Sequence, residues 1–209
     1  MHKLSALFWD IGGVILSNGW DHAECGRAAA RFDLNFEEFE GRHGEVFPAY
    51  EMGELTLDDY LDQTVFYRPR PFSKVEFQSF MFAQSTENKE TRAVLDAVTA
   101  TRRYFMASLN NEGLELNTYR IREFELTRNL SAFFTSCYLG VRKPDETIYR
   151  RALDITQRVA GECLFIDDRP VNLETARRLG MRTIHCVNAA QLEAELKEHG
   201  VATAVLKER

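Results

Sequence analysis

The chain has 209 residues, enough for one domain or a core with a modest insertion, and its 44% hydrophobic and 28% charged residues suit a globular protein rather than a disordered or fibrous one. A formal charge of -6 argues against broad nucleic-acid binding, which needs a basic surface. No apolar run approaches the roughly 20 residues that cross a bilayer, and the N-terminal segment reads as a short strand rather than a signal peptide, so a cytoplasmic protein is expected.

Residues 4–9 form the first apolar run, with Leu7 and Trp9 on one face and Ala6 and Phe8 on the other, as in a strand. Residues 17–84 then show almost no strand signal, and helical spacing recurs at 23–32, 36–47, 57–65 and 75–82. Thr56 with Asp59 resembles a capping box, and residues 67–72, with two prolines, break the pattern between two helices. Beyond this insertion, strands are expected at 104–108, 133–138, 164–166 and 183–187. Helices are expected at 90–100, 144–155, 171–179 and 189–196, with Pro144 in a first helical position and Gly180 as a stop. Ile148, Ala152 and Ile155 share one face of the second of these helices.

Alternating buried strands and amphipathic helices imply an α/β protein with a parallel sheet covered on both faces. The expected core comprises residues 1–16 and 85–209, with a helical domain over 17–84. An insertion straight after the first strand sits over the C-terminal edge of the sheet, where ligands bind in open α/β folds. The four cysteines, Cys25, Cys137, Cys163 and Cys186, show no metal or redox spacing and read as buried thiols in a reducing compartment. The histidines show no ligand spacing either, which argues against a zinc site.

Three places carry chemistry. Asp10 ends the first apolar run before Gly12-Gly13, Lys143 precedes Pro144, and Asp167-Asp168 closes the run beginning at Cys163. Singly, each has an ordinary reading: a turn residue, a surface lysine, a solvated acidic loop. Together, two acidic clusters at strand ends and one lysine can hold a divalent cation and neutralise a phosphate. Carboxylate oxygens at strand ends suit Mg²⁺, which accepts a few carboxylates with water and substrate phosphate.

The matching segments are Phe8-Trp9-Asp10-Ile11-Gly12-Gly13-Val14-Ile15-Leu16, Ala107-Ser108-Leu109-Asn110-Asn111, Gly140-Val141-Arg142-Lys143-Pro144-Asp145 and Phe165-Ile166-Asp167-Asp168-Arg169-Pro170-Val171-Asn172. In this order they resemble the haloacid dehalogenase (HAD) superfamily, specifically the small-capped phosphatase branch, subfamily IA, that includes sugar 1-phosphate phosphatases. Met52-Gly53-Glu54-Leu55-Thr56 also resembles the cap segment of that branch. The resemblance implies a Rossmannoid three-layer core with a four-helix cap. It further implies Mg²⁺-dependent hydrolysis of a small phosphorylated metabolite, a sugar phosphate, through an aspartyl-phosphate.

Carried over by position, Asp10 would be the nucleophile and Lys143 would pair with it and with a phosphate oxygen. Asp10, the Gly12 carbonyl and Asp168 would hold Mg²⁺, supported by Asp167 and Asn172. Ser108, Leu109, Asn110 and Lys143 would hold the phosphate. Two departures stand out. The family's phosphatases carry a second Asp where this chain has Gly12, and a Ser or Thr where it has Leu109. A sugar 1-phosphate, with its better leaving group, lessens the need for a general acid, and His22 is a candidate substitute near neutral pH. Trp20, His22, Phe47 and Tyr50 are expected nearest the pocket. A dehalogenase, which needs no acid or Mg²⁺, and a ligand- or partner-binding pseudoenzyme are the competing readings.

Overall fold

The computed structural model describes residues 3–204; residues 1–2 and 205–209 of the expected core fall outside them. Five strands form one parallel sheet: β1 (Ala6–Trp9), β2 (Phe105–Asn110), β3 (Ala132–Thr135), β4 (Cys163–Asp167) and β5 (Arg182–His185), in the order β3-β2-β1-β4-β5. The alternation read in residues 6–9 sets the two faces. Leu7 and Trp9 pack with Val94, Leu95 and Val98 of α5 (Lys89–Ala100) and with Leu192 and Leu196 of α10 (Ala189–Glu198). Ala6 and Phe8 pack with Ile148, Tyr149 and Ala152 of α8 (Glu146–Thr156) and with Leu173 and Ala176 of α9 (Pro170–Arg178). Leu7 and Phe8 are wholly buried, each worth about 1.5–3 kcal/mol of hydrophobic stabilisation. β1 is therefore the centre of the sheet, and the chain runs to β2 on one side of it and later to β4 on the other. The carboxyl ends of β1 and β4 flank this switch in strand order, the usual place for a ligand crevice.

Between β1 and α5 lie α1 (His22–Phe32), α2 (Phe36–Glu51), α3 (Leu57–Thr64) and α4 (Lys74–Ala83). Each begins at a side-chain cap: Asp21, Asn35, Thr56 and Ser73 all accept from a backbone amide, with full capping boxes at Asp21/Glu24 and Thr56/Asp59. Their apolar faces form a separate aromatic cluster. Trp20 meets Phe77 edge to face at 5.8 Å, and Phe39 meets Phe77 at 6.2 Å.

Several expected boundaries shift, each for a local reason. β3 ends at Thr135, and α7 (Ser136–Leu139) replaces the rest of the strand expected to 138. The Ser136 hydroxyl, donating to the Glu51 carbonyl at 2.6 Å, holds the chain there, and Gly140 ends the turn in the left-handed region at φ 63°. The helix expected from Pro144 starts at Glu146 because Asp145, accepting from Thr147 N at 2.8 Å, is its cap. Ile155, expected on that helix's buried face, is 62% exposed. α2 continues through Pro48, where the residue one turn earlier is Gly44. Lastly, α6 (Leu114–Glu123) is absent from the sequence expectation: its cap is Gly113, with no side-chain bond, and its apolar spacing is sparse. Among the described residues no helix is long and apolar enough to cross a membrane.

Candidate active site

Asp10 follows β1 directly, and its amide donates to the Ile166 carbonyl at 2.8 Å, tying it to β4. Its carboxylate Oδ1 accepts from the Ile11 amide at 2.8 Å and faces the Lys143 ammonium at 3.0 Å. Lys143 Nζ also donates to Asp167 Oδ2 at 2.7 Å, so one ammonium bridges two strand-end carboxylates. Asn111 clamps the lysine's backbone from both sides, donating to its carbonyl at 2.9 Å and accepting from its amide at 2.7 Å. Asp167 is completely buried and further accepts from Arg169 N at 2.7 Å and from Asn172 Nδ2 at 3.1 Å. Gly13 turns the chain at φ 75°, where a Cβ would lie 2.3 Å from Asp168 Oδ2; only glycine lets the backbone pass this carboxylate.

The electrostatics are unbalanced towards negative charge. Oxygens of Asp10, Asp167 and Asp168 lie within 4.8 Å of one another, with a single ammonium between them. Burial, added to by the charge of Asp167 and opposed by Lys143, pushes the Asp10 carboxyl up to about 8. Burial would raise Asp167 too, but the Lys143 charge and its hydrogen bonds hold it below the usual range. Asp168 is raised by burial and by Asp167, and its Oδ1 is buried with no hydrogen-bond partner. An orphaned carboxylate oxygen beside surplus negative charge is what a divalent cation satisfies, and three hard oxygen donors suit Mg²⁺.

Beside this cluster opens a cavity of about 390 Å³. Asp10, Gly12, Lys143 and Asn172 line it from the sheet, and Trp20, His43, Phe47 and Pro48 from the helical side. Three ion pairs complete its walls: Arg142 with Glu51 at 2.8 Å, Arg169 with Asp21 at 2.9 Å, and Arg120 with Glu112 at 2.8 Å.

The sequence-derived candidates divide accordingly. Asp10, Lys143, Asp167, Asp168 and Asn172 come together, with Gly12 on the cavity wall. Of the four residues expected to hold phosphate, Lys143 lines the cavity and Ser108, Leu109 and Asn110 do not. The Ser108 hydroxyl is buried without a partner, in register with Trp9; Leu109 packs in the core with Phe8; Asn110 bonds to Asn117 and Thr135. His22 points away, with its exposed ring on Glu40 at 2.8 Å, while Tyr50 stacks on Tyr60 at 5.3 Å below the wall. Unforeseen lining residues include Asp21, His43, Glu51, Glu112, Arg120, Arg142 and Arg169. Adjacency to a motif could have drawn attention to Arg142, Arg169 and Glu112, but nothing local singles out Arg120.

A family model for haloacid dehalogenase-like hydrolases matches residues 4–180, so the chain belongs to that family. A HAD family enzyme from Bacteroides thetaiotaomicron superposes with a TM-score of 0.75 at 19% identity, over 88% of this chain and 93% of its own. That enzyme has also been solved with magnesium and inorganic phosphate. A dehalogenase superposes with a TM-score of 0.64 at 20% identity, over 88% of this chain and 84% of its own. Among curated proteins, flavin mononucleotide hydrolase 1 of Arabidopsis thaliana is 35% identical over 85 residues, 41% of this chain and 35% of that protein. The chain spans no more than about a third of the length of the first curated relatives it matches.

Proposed function

We propose that the protein is a Mg²⁺-dependent phosphatase that hydrolyses a small phosphate monoester through an aspartyl-phosphate on Asp10. The observation that carries this reading is the Lys143 ammonium, on the cavity wall, held between Asp10 and Asp167. Asp10 Oδ1 is engaged by Lys143 and the Ile11 amide, which orients Oδ2 as the attacking oxygen. Lys143 keeps its charge because two carboxylates outweigh its burial, and it offsets charge on the transferring group. Asp10, Asp168 and the Gly12 carbonyl are the proposed Mg²⁺ ligands, with Asp167 and Asn172 fixing the loop behind them. When bound, the cation supplies neutralisation of the phosphate oxygens and of the surplus carboxylate charge.

Helices α1–α4, residues 17–84, act as the cap of the small-capped branch. Their separate aromatic core and their share of the cavity wall support that role. A sugar phosphate is the favoured substrate. Three ion pairs offer donors and acceptors to hydroxyl groups, while Trp20 and Phe47 present ring surface. The test is phosphate release from a panel of sugar phosphates, with Mg²⁺ or with a chelator. Turnover that needs Mg²⁺ is expected; turnover indifferent to the chelator contradicts the proposal.

Gly12 favours one second reading, a dehalogenase, because halide leaves without a proton. Chloride release from 2-chloropropionate, with no phosphate release from the panel, would replace the phosphatase.

A further inference from the structure

Gly12 stands where the family's phosphatases keep a proton-donating Asp, and the surroundings of this position are specific. Gly12 does not have a positive φ, and a Cβ built on it would meet nothing nearer than the Asn18 carbonyl at 3.4 Å. A side chain fits there, so backbone geometry does not account for its absence. The same Cβ would lie 3.7 Å from Arg120 Nη1, so the space a side chain would enter borders a guanidinium.

That guanidinium is built in. Arg120 is 2% exposed; its Nε donates to Ser85 Oγ at 3.0 Å, its Nη2 to the Ser17 carbonyl at 2.5 Å and its Nη1 to Glu112 Oε2 at 2.8 Å. Gly19 makes room for it, since a Cβ there would sit 2.1 Å from Nη2. Glu112 lies just past β2, the strand beside β1, is 3% exposed, and lines the same cavity as Asp10 and Gly12. Among the described residues its other oxygen, Oε1, accepts from the Gly113 amide alone, at 3.2 Å.

We propose that Glu112, held in the cavity wall by the Arg120 guanidinium that borders Gly12, is the general acid–base of this site. The inference rests on the phosphatase reading. As the bond from Asp10 to phosphorus forms and the ester P–O bond breaks, the Glu112 carboxyl gives its proton to the departing oxygen. In the second half, the Glu112 carboxylate takes a proton from the water whose oxygen bonds to phosphorus as Asp10 is released, which restores both groups. Burial favours the protonated form and pushes the carboxyl up to about 7, against the opposing charge of Arg120. The other ionisable groups around it are Glu51 of α2, which raises it further, and Tyr50 and Cys137, both held neutral by burial. Glu51 also lines the cavity, but it belongs to the helical side and pairs with Arg142, not with the group beside Gly12.

The test compares Glu112→Gln with wild type on two phosphate esters, an alkyl ester that needs a proton on leaving and p-nitrophenyl phosphate, which does not. Glu112→Gln is expected to lose about 10²- to 10⁴-fold in kcat/KM on the alkyl ester, and less than about 10-fold on the nitrophenyl ester. It should also lose the fall in alkyl-ester turnover as pH rises through about 7. Adding Gly12→Asp to the variant should restore alkyl-ester turnover, which a folding defect could not do. Equal losses on both esters, no loss on either, or no restoration by Gly12→Asp would overturn the assignment while leaving the phosphatase intact. Wild-type protein that releases phosphate from neither ester would overturn the phosphatase and this assignment with it.

Discussion

Lys143 is almost fully buried, which for a lysine is tolerable only because two carboxylates lie within 3.0 Å. Replacing it with Met leaves Asp10 and Asp167 buried without their cation. Urea unfolding of Lys143→Met should show about 3–5 kcal/mol of lost stability, and phosphate release should fall to background. Glu112 gives a pH signature. The folded protein keeps this proton to about pH 7, whereas the unfolded chain releases it near 4.5. Its contribution to stability is therefore complete below pH about 4.5 and is lost as pH rises through about 7. Across this window the unfolding free energy of wild type should fall relative to that of Glu112→Gln as pH rises, since the variant lacks the titration; parallel curves would contradict it. The carboxylates of the charge cluster were legible in the sequence because Asp10 and Asp167-Asp168 end short apolar runs, and Lys143 because it precedes Pro144 before a helix, all local signals. Arg120 was not. Within Leu116-Asn117-Thr118-Tyr119-Arg120 an arginine reads as a solvent-facing residue. Its burial depends on room left by Gly19 and on partners at Ser17 and Ser85, all distant in sequence.

Among the elements, the strands and most helices followed from period and caps, because a buried parallel strand and a capped amphipathic helix each leave a strong local pattern. α6 left neither. It exists because it packs: Leu116 joins the aromatic cluster of α1–α4, and Tyr119 stacks on Phe82 at 4.8 Å. Its entry point is equally tertiary. A Cβ on Gly113 would sit 2.0 Å from the Tyr50 ring of α2, so this glycine permits close approach of the two elements. Gly113→Ala should therefore destabilise the protein by about 1–3 kcal/mol through overpacking, read as a lower midpoint in thermal or urea unfolding. An unchanged midpoint would show that Tyr50 moves aside freely. Two of the residues expected to hold phosphate, Ser108 and Leu109, were misdirected at this scale, since a strand's alternation sends them to opposite faces of the sheet, away from the residues that line the cavity.

Over the whole molecule, the cavity takes its walls from two packed clusters, the sheet with its covering helices and the aromatic cluster of α1–α4 that Leu116 of α6 joins. The two are joined where the charged loops emerge. Arg142 is next to Lys143 and reaches Glu51; Arg169 is next to Asp168 and reaches Asp21. These pairs couple the position of the helices to the loops that carry the charge cluster. The surplus negative charge beneath them also predicts a global response to metal. Mg²⁺ in roughly 100-fold excess over its Kd should stabilise the folded protein by about 2.7 kcal/mol, seen as a rise in Tm that a chelator reverses. Asp168→Asn should abolish the rise, whereas an equal rise in that variant would place the cation elsewhere.

The proposed chemistry turns on a covalent bond between Asp10 and phosphate. Acid-quenching the protein during turnover of a radiolabelled phosphate ester, and mapping the bound label, would detect that bond. Label is expected on the peptide containing Asp10, stable to acid, released by hydroxylamine as an acyl phosphate should be, and absent from Asp10→Asn. Turnover without bound label, or label that persists in Asp10→Asn, would contradict it.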